Sequence, residues 1–243
     1  MTHRFAGRPV GSPVRVRPPV RAILVALACV TSATCGPRRL AVVGPVDDPA
    51  AEAAALERRT RLVDPTQVIF EWHANEGGVR AEGRGVARVE PPYRARLDLF
   101  LRNGETALRA ALVDGGFRLP PGADDDILPP PDLMWGALGV LRAHEGARLL
   151  GGDRLEGGGV RLRYGYRDGS ELHYEVTAGE LTRVDLLEGG RIVQTVALTP
   201  DPAGPHPLGA TYRDLTGFRE LRLTRERLET TEPFPDAIWT PGR

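Results

Sequence analysis

The sequence predicts a mainly β fold of the α+β class: a curved antiparallel incomplete barrel of about 10–12 strands, with an N-terminal helix and a mid-chain helical lid. Three observations lead there. Apolar and charged residues alternate at period two through most of residues 66–228. Gly, Asn, Asp and Pro turn signals interrupt that alternation at short intervals. Helical patterning is confined to two short stretches.

The elements follow in order. Asp48 can cap a helix with Pro49 at its first position, and the alanine-rich run to Leu62 continues it until Asp64-Pro65. Strands are expected over 66–74, 79–89, 93–101 and 105–113. Asn75-Glu76-Gly77-Gly78, Pro91-Pro92, Asn103-Gly104 and Asp114-Gly115-Gly116 separate or follow them. In Tyr93-Arg94-Ala95-Arg96-Leu97-Asp98-Leu99 the odd positions face one way and the charges the other, so the sheet has one wet face.

A short strand over 116–119 leads into a proline-rich loop, 120–131, with Asp124-Asp125-Asp126. Leu133, Trp135, Leu138 and Leu141 mark a short apolar helix over 132–141. Strands resume over 147–155, 160–166, 171–177, 181–187, 191–198, 210–213 and 218–228, an up-and-down meander. A sheet this large with one apolar face must curl or be covered.

The N-terminus carries a different signal. An arginine-rich start precedes the apolar run Ala22–Val30, and small residues lead to Cys35-Gly36-Pro37. That is the layout of an export signal, and the run is too short to span a bilayer, which takes roughly 20 apolar residues. The cysteine at the break, in Ser32-Ala33-Thr34-Cys35, resembles a bacterial lipoprotein signal, which implies acylation of Cys35 and membrane attachment through it. Cys29, ordinary cleavage, or a Cys29–Cys35 disulfide in an uncleaved chain are the alternatives. Arg4, Arg8, Arg15 and Arg17 make the start long for an n-region, and a downstream start such as Val14 would shorten it. The expected organisation is a signal over 1–34, a tether over 35–48, a half-barrel domain over 49–229 and a proline-rich tail over 230–243.

The formal charge is zero, with 32 basic and 32 acidic side chains. Five arginines and no acid fall within residues 1–34, so the rest of the chain is net acidic. That argues against nucleic acid as a partner. Every basic side chain other than histidine is arginine. No cysteine follows Cys35, which excludes a disulfide scaffold or a thiolate metal centre downstream.

No catalytic constellation emerges. Ser170, the one serine beyond position 34, lies in Asp168-Gly169-Ser170, a turn without a nucleophile elbow. His73, His144, His173 and His206 show no paired ligand spacing. His173 sits between Glu171 and Glu175 at period two, as expected of a cross-strand charge row. Asp124-Asp125-Asp126 lacks the alternation of a calcium loop, and Gly157-Gly158-Gly159 has no following helix to hold phosphate. Glu71, Asp98 and Glu175 would serve glycoside chemistry only if they converged. The reading is a non-enzyme without cofactor or metal.

The apolar alternation is the better candidate for function. Leu97, Leu99, Leu101, Leu108, Leu162, Tyr164, Leu172 and Tyr174 share the inward phase of their strands, and Met134 and Trp135 supply a lid. They are the candidate lining of a lipid cavity; the alternative is an ordinary packed core.

The order of helix, antiparallel strands, lid and more strands, with the stretch Gly83-Arg84-Gly85-Val86-Ala87-Arg88-Val89 to Tyr93–Phe100, resembles the LolA/LolB lipoprotein-localisation family over roughly residues 49–229. The resemblance implies a half-barrel whose apolar inner face holds acyl chains of lipids or lipoproteins. Cys35 matches the lipid-anchored receptor type. The receptor's apolar loop between early strands has the polar Arg102-Asn103-Gly104-Glu105 as its counterpart here. Gly36 after the acylated cysteine implies sorting to the outer membrane, with the domain facing the periplasm. A scaffold lipoprotein with a filled core is the alternative function.

Overall fold

The computed structural model describes residues 39–123, 127–204 and 206–242. The signal segment, Cys29, Cys35, Gly36 and Asp124-Asp125-Asp126 lie outside the described residues. Residues 39–243 make one compact unit.

Helix α1 spans Pro49–Thr60. Asp48 caps it, its Oδ1 accepting from Ala51 N at 2.9 Å, and Pro49 opens the first turn. It buries Ala53, Leu56 and Thr60. Strands β2 (Thr66–Glu76), β3 (Val79–Glu90), β4 (Arg94–Leu101), β5 (Thr106–Val113) and β6 (Gly116–Arg118) follow as expected.

Helix α2, Pro131–Ala137, is the lid, one turn shorter than the apolar pattern allowed. Gly139, at φ 85°, ends it, with Gly139 N donating to Gly136 O at 2.8 Å and Val140 N to Trp135 O at 2.9 Å. The second series is β7 (Arg148–Leu155), β8 (Val160–Gly165), β9 (Glu171–Thr177), β10 (Glu180–Glu188), β11 (Arg191–Thr199), β12 (Gly209–Asp214) and β13 (Arg219–Thr230).

With a short strand β1 (Val42–Pro45) ahead of α1, the strands form one 13-stranded antiparallel sheet, in the order β1-β7-β8-β9-β10-β11-β12-β13-β2-β3-β4-β5-β6. It is not a simple meander. The last strand, β13, pairs with β2 along their lengths, from Arg219 opposite Glu76 to Thr230 opposite Thr66. This joins two meanders that are far apart in sequence. β1 (Val42–Pro45), at the other edge, falls in the stretch read as a tether and pairs with β7. Val46, just after it, is buried, so folded structure begins before residue 49. Two edges, β1 and β6, stay apart, and the barrel is incomplete. The sheet wraps enough for Leu97 on β4 and Tyr174 on β9 to share one apolar core with α2.

The wet face is a charge lattice. Arg161 Nη2 reaches Glu175 Oε1 at 2.6 Å, Arg88 Nη1 reaches Asp98 Oδ2 at 2.7 Å, and Arg183 Nη1 donates to Thr195 Oγ1 at 3.1 Å. These pairs join neighbouring strands. The proline-rich tail is docked on this face. Residues Asp236–Trp239 form a 3₁₀ turn, and buried Trp239 packs with Phe234 and Ile238 over Ala111 and Val113. Arg96 Nη1 holds Ile238 O at 2.6 Å, and Phe234 N donates to Glu90 Oε1 at 3.2 Å. Three exposed-face positions on β4 and β5 thereby gain cover.

Candidate functional site

The inner face of the sheet and its two helices form the candidate site. The structure gathers all ten predicted lining residues into one cluster. Leu97, Leu99, Leu108, Met134, Trp135, Leu162, Tyr164, Leu172 and Tyr174 are buried, and Leu101 packs against them at the margin. Met134 and Trp135 are at 0% and 1% exposure, so the lid is pressed into the core rather than resting on it.

Local sequence explains the fit. Glycine at 136 lets α2 lie directly on β10, since a Cβ there would come 2.7 Å from Val184 Cγ2. Gly85 on β3 leaves room for the Phe70 ring from β2, and Gly83 for the β4 backbone at Phe100. A Cβ on Gly85 would meet the Phe70 ring at 2.5 Å, and Trp72 Nε1 donates to Arg84 O and Phe100 O at 3.2 and 3.1 Å. Trp135 meets Tyr93 edge-on with centroids 5.9 Å apart, and Arg142 covers the Tyr93 ring at 4.3 Å.

Polar contacts latch the lid at both ends. At its start the Tyr166 hydroxyl donates to Asp132. Burial raises the Asp132 carboxyl above its usual range, against the lowering effect of that hydrogen bond, and burial with Asp132 nearby raises the Tyr166 phenol. At its end His206 Nδ1 lies 3.2 Å from Leu138 O, which fixes the neutral ring with its proton on Nδ1. Burial lowers the His206 pKa. Leu141 N donates to Thr60 Oγ1 at 3.1 Å, tying the lid to α1. The buried donor Trp135 Nε1 has no hydrogen-bond partner among the described residues. Burial pushes the Tyr164 phenol up to about 12.

Space remains beneath both helices. A cavity of about 30 Å³ lies under the end of α2, lined chiefly by Val68, Phe70, Ala87, Ala137, Leu138, Ala210 and Leu223, with His206 and Arg225 at its polar side. A cleft of about 250 Å³ opens beside α1. Leu56, Val160, Leu162 and Val176 supply its apolar walls and Glu52 and Arg59 its lip. Leu162 is the predicted lining residue that reaches the cleft; none of the ten reaches the cavity under α2. The residues from β2, β12, β13 and α1 were absent from the expected set. The same inward alternation of Val68, Phe70, Leu221 and Leu223 would have found most of them.

The carboxylates do not converge. Glu71, Asp98 and Glu175 lie on β2, β4 and β9, and Asp98 and Glu175 are held by arginines on the wet face. His173 pairs with Glu171 at 2.8 Å, two residues away on its own strand β9, and not with a residue across strands as its spacing suggested. No group of three His, Cys, Asp or Glu among the described residues is placed to hold a metal ion.

No protein-family model matches the chain, and no curated protein sequence does. Solved structures do. A LolA superfamily protein from Nitrosomonas europaea matches at 12% identity and TM-score 0.53, covering 80% of this chain and 98% of its own. A DUF1329 family protein from Desulfovibrio piger matches at 11% identity and TM-score 0.48, over 81% and 97%. A domain ascribed to outer-membrane lipoprotein sorting, from Vibrio parahaemolyticus, matches at 8% and 0.47, over 79% and 94%. At these identities the likeness is one of fold: the chain has the curved, incomplete barrel of LolA-like proteins.

Proposed function

We propose that this protein is an envelope lipoprotein, acylated at Cys35, that binds acyl chains of lipids or lipoproteins between its concave sheet and its two helices. Its expected place is the outer membrane, facing the periplasm. The observation that carries the reading is the apolar inner face with the open cleft beside α1, where half-buried Val160 and Val176 stand over buried Leu56 and Leu162. Each methylene moved there from water contributes about 0.8 kcal/mol. Support comes from the likeness of the fold to that of the Nitrosomonas LolA superfamily protein.

The lidded core is closed in this structure. A space of about 30 Å³ under α2 suits a water-sized guest, so a chain entering there must displace α2. That dense packing favours a second reading, a scaffold lipoprotein with a filled core. A fatty-acid titration of residues 39–243 against a bound naphthylamine probe separates the two. The acyl-binding reading expects saturable displacement, lost when Val160→Trp fills the cleft. Absence of saturable probe binding would support the scaffold.

A further inference from the structure

Phe218 is 79% exposed, more than any other large apolar side chain among the described residues. It sits at the tip of the β12–β13 hairpin, with Leu215 at 48% beside it. The neighbouring β2–β3 hairpin presents Val79 at 74%. Register brings the two tips together: Val79 pairs with Glu76, Glu76 with Arg219, and Gly77 N donates to Phe218 O at 3.4 Å.

The tip is built rather than frayed. Asp214 Oδ1 accepts from Thr216 N at 2.9 Å, Thr216 Oγ1 at 2.7 Å and Gly217 N at 2.8 Å. A Cβ on Gly217 would lie 2.6 Å from Asp214 Oδ2, so a side chain there would displace the carboxylate that holds the turn. Phe218 itself takes φ +53°, a left-handed conformation that a bulky side chain rarely adopts. A chain that only needed to turn would place glycine or asparagine at that position. Instead a rigid turn holds an aromatic ring out into solvent.

We propose that Phe218, Leu215 and Val79 form a wedge that seats in the interfacial layer of a phospholipid bilayer and sets the orientation of the domain on it. Apolar tips flanked by long amphipathic arginines, here Arg80 and Arg191, suit that layer. Glu76 and Glu188 stand among those arginines, so insertion relies on the apolar side chains and not on anionic lipid. The wedge rests on the membrane attachment proposed above. Four residue steps from Cys35 to Arg39 span at most about 14 Å, and Arg39 pairs with Asp185 at 3.5 Å on the sheet. An acyl chain on Cys35 therefore keeps the domain against the bilayer.

The test makes attachment independent of cellular acylation. Residues 35–243 are coupled through the Cys35 thiol to maleimide-headgroup lipid in phosphatidylcholine vesicles, and coupling is scored by flotation. Wild-type fluorescence comes from Trp72, Trp135 and Trp239, all buried. Phe218→Trp is expected to add an emission that shifts to the blue on coupling and is quenched by lipid brominated near the headgroup, at low and high salt alike. Val79→Trp supplies the same readout from the adjacent hairpin should the first variant misfold. Solvent-like, unquenched emission from both coupled variants would overturn the wedge while leaving acyl binding in the cleft untouched.

Discussion

Gly83 shows how a single residue shapes the inner face. Its missing Cβ allows Phe100 O to lie 1.9 Å from where that atom would stand. Gly83→Ala must therefore force the β3–β4 seam apart and is expected to destabilise the fold by about 2–3 kcal/mol. Gly44→Ala, with nothing within 4 Å of the new atom, is expected to be near neutral. Urea midpoints of the two variants check the contrast. The sequence reading registered Gly83-Arg84-Gly85 only as a family-like stretch; its cause, the Phe100 carbonyl pressed on Gly83 and the Phe70 ring pressed on Gly85, is a tertiary fact without local periodicity.

Asp214 carries a pH signature at the same scale. Burial works to raise its carboxyl, but donors from Gly217 and Thr216 and the nearby Arg219 outweigh it, and the pKa falls below the usual range. A carboxylate with a depressed folded pKa contributes stability above its unfolded pKa of about 3.9 and loses it as pH falls through the folded value. Asp214→Asn lacks that contribution at every pH. Its urea midpoint is expected to drop less than that of the wild type between pH 6 and strongly acid conditions; equal drops would contradict the assignment.

At the scale of elements, the lid is where the sequence was most and least informative. Leu133, Trp135, Leu138 and Leu141 announced an apolar helix, and α2 stands there. Its latches were invisible, because Tyr166 and Asp132, or His206 and Leu138, are brought together only by folding. Tyr166→Phe leaves the buried Asp132 carboxylate without that donor, so hydrogen exchange of residues 131–141 is expected to accelerate while β2 and β3 keep their protection. Burial of the His206 ring gives the end of the lid an acid sensitivity of its own. Its lowered pKa keeps the folded ring neutral, so its contribution is present above about pH 6.5 and is lost as pH falls through the folded value. The tail reads only as proline-rich, and the docking of Trp239 on β4 and β5 has no signal in it. Trp239→Ala is expected to cost about 3 kcal/mol, read as a lowered thermal midpoint.

At the scale of the whole molecule, strand existence was legible and strand neighbourhood was not. Twelve of the thirteen strands follow from alternation and turn signals. β1 escaped because Val42–Pro45 lies in a proline- and glycine-rich stretch that reads as a tether. The β13–β2 pairing escaped because it joins the far ends of the sheet-forming chain. That pairing turns two meanders into one sheet, and the sheet's curl makes the inner face a candidate container. The same alternation that located Leu97 and Tyr174 could not say whether they line a space or fill it. They fill the centre, and the open space lies beside α1 and, in small measure, under α2.

The central claim is that this container holds acyl chains. Native mass spectrometry of residues 39–243, purified from cells without detergent and followed by lipid extraction, tests it most directly. The account predicts a bound species whose extracted mass is that of a phospholipid or fatty acid, reduced in occupancy by Val160→Trp. A clean apo mass that also takes up no added fatty acid would contradict it and leave the filled-core scaffold.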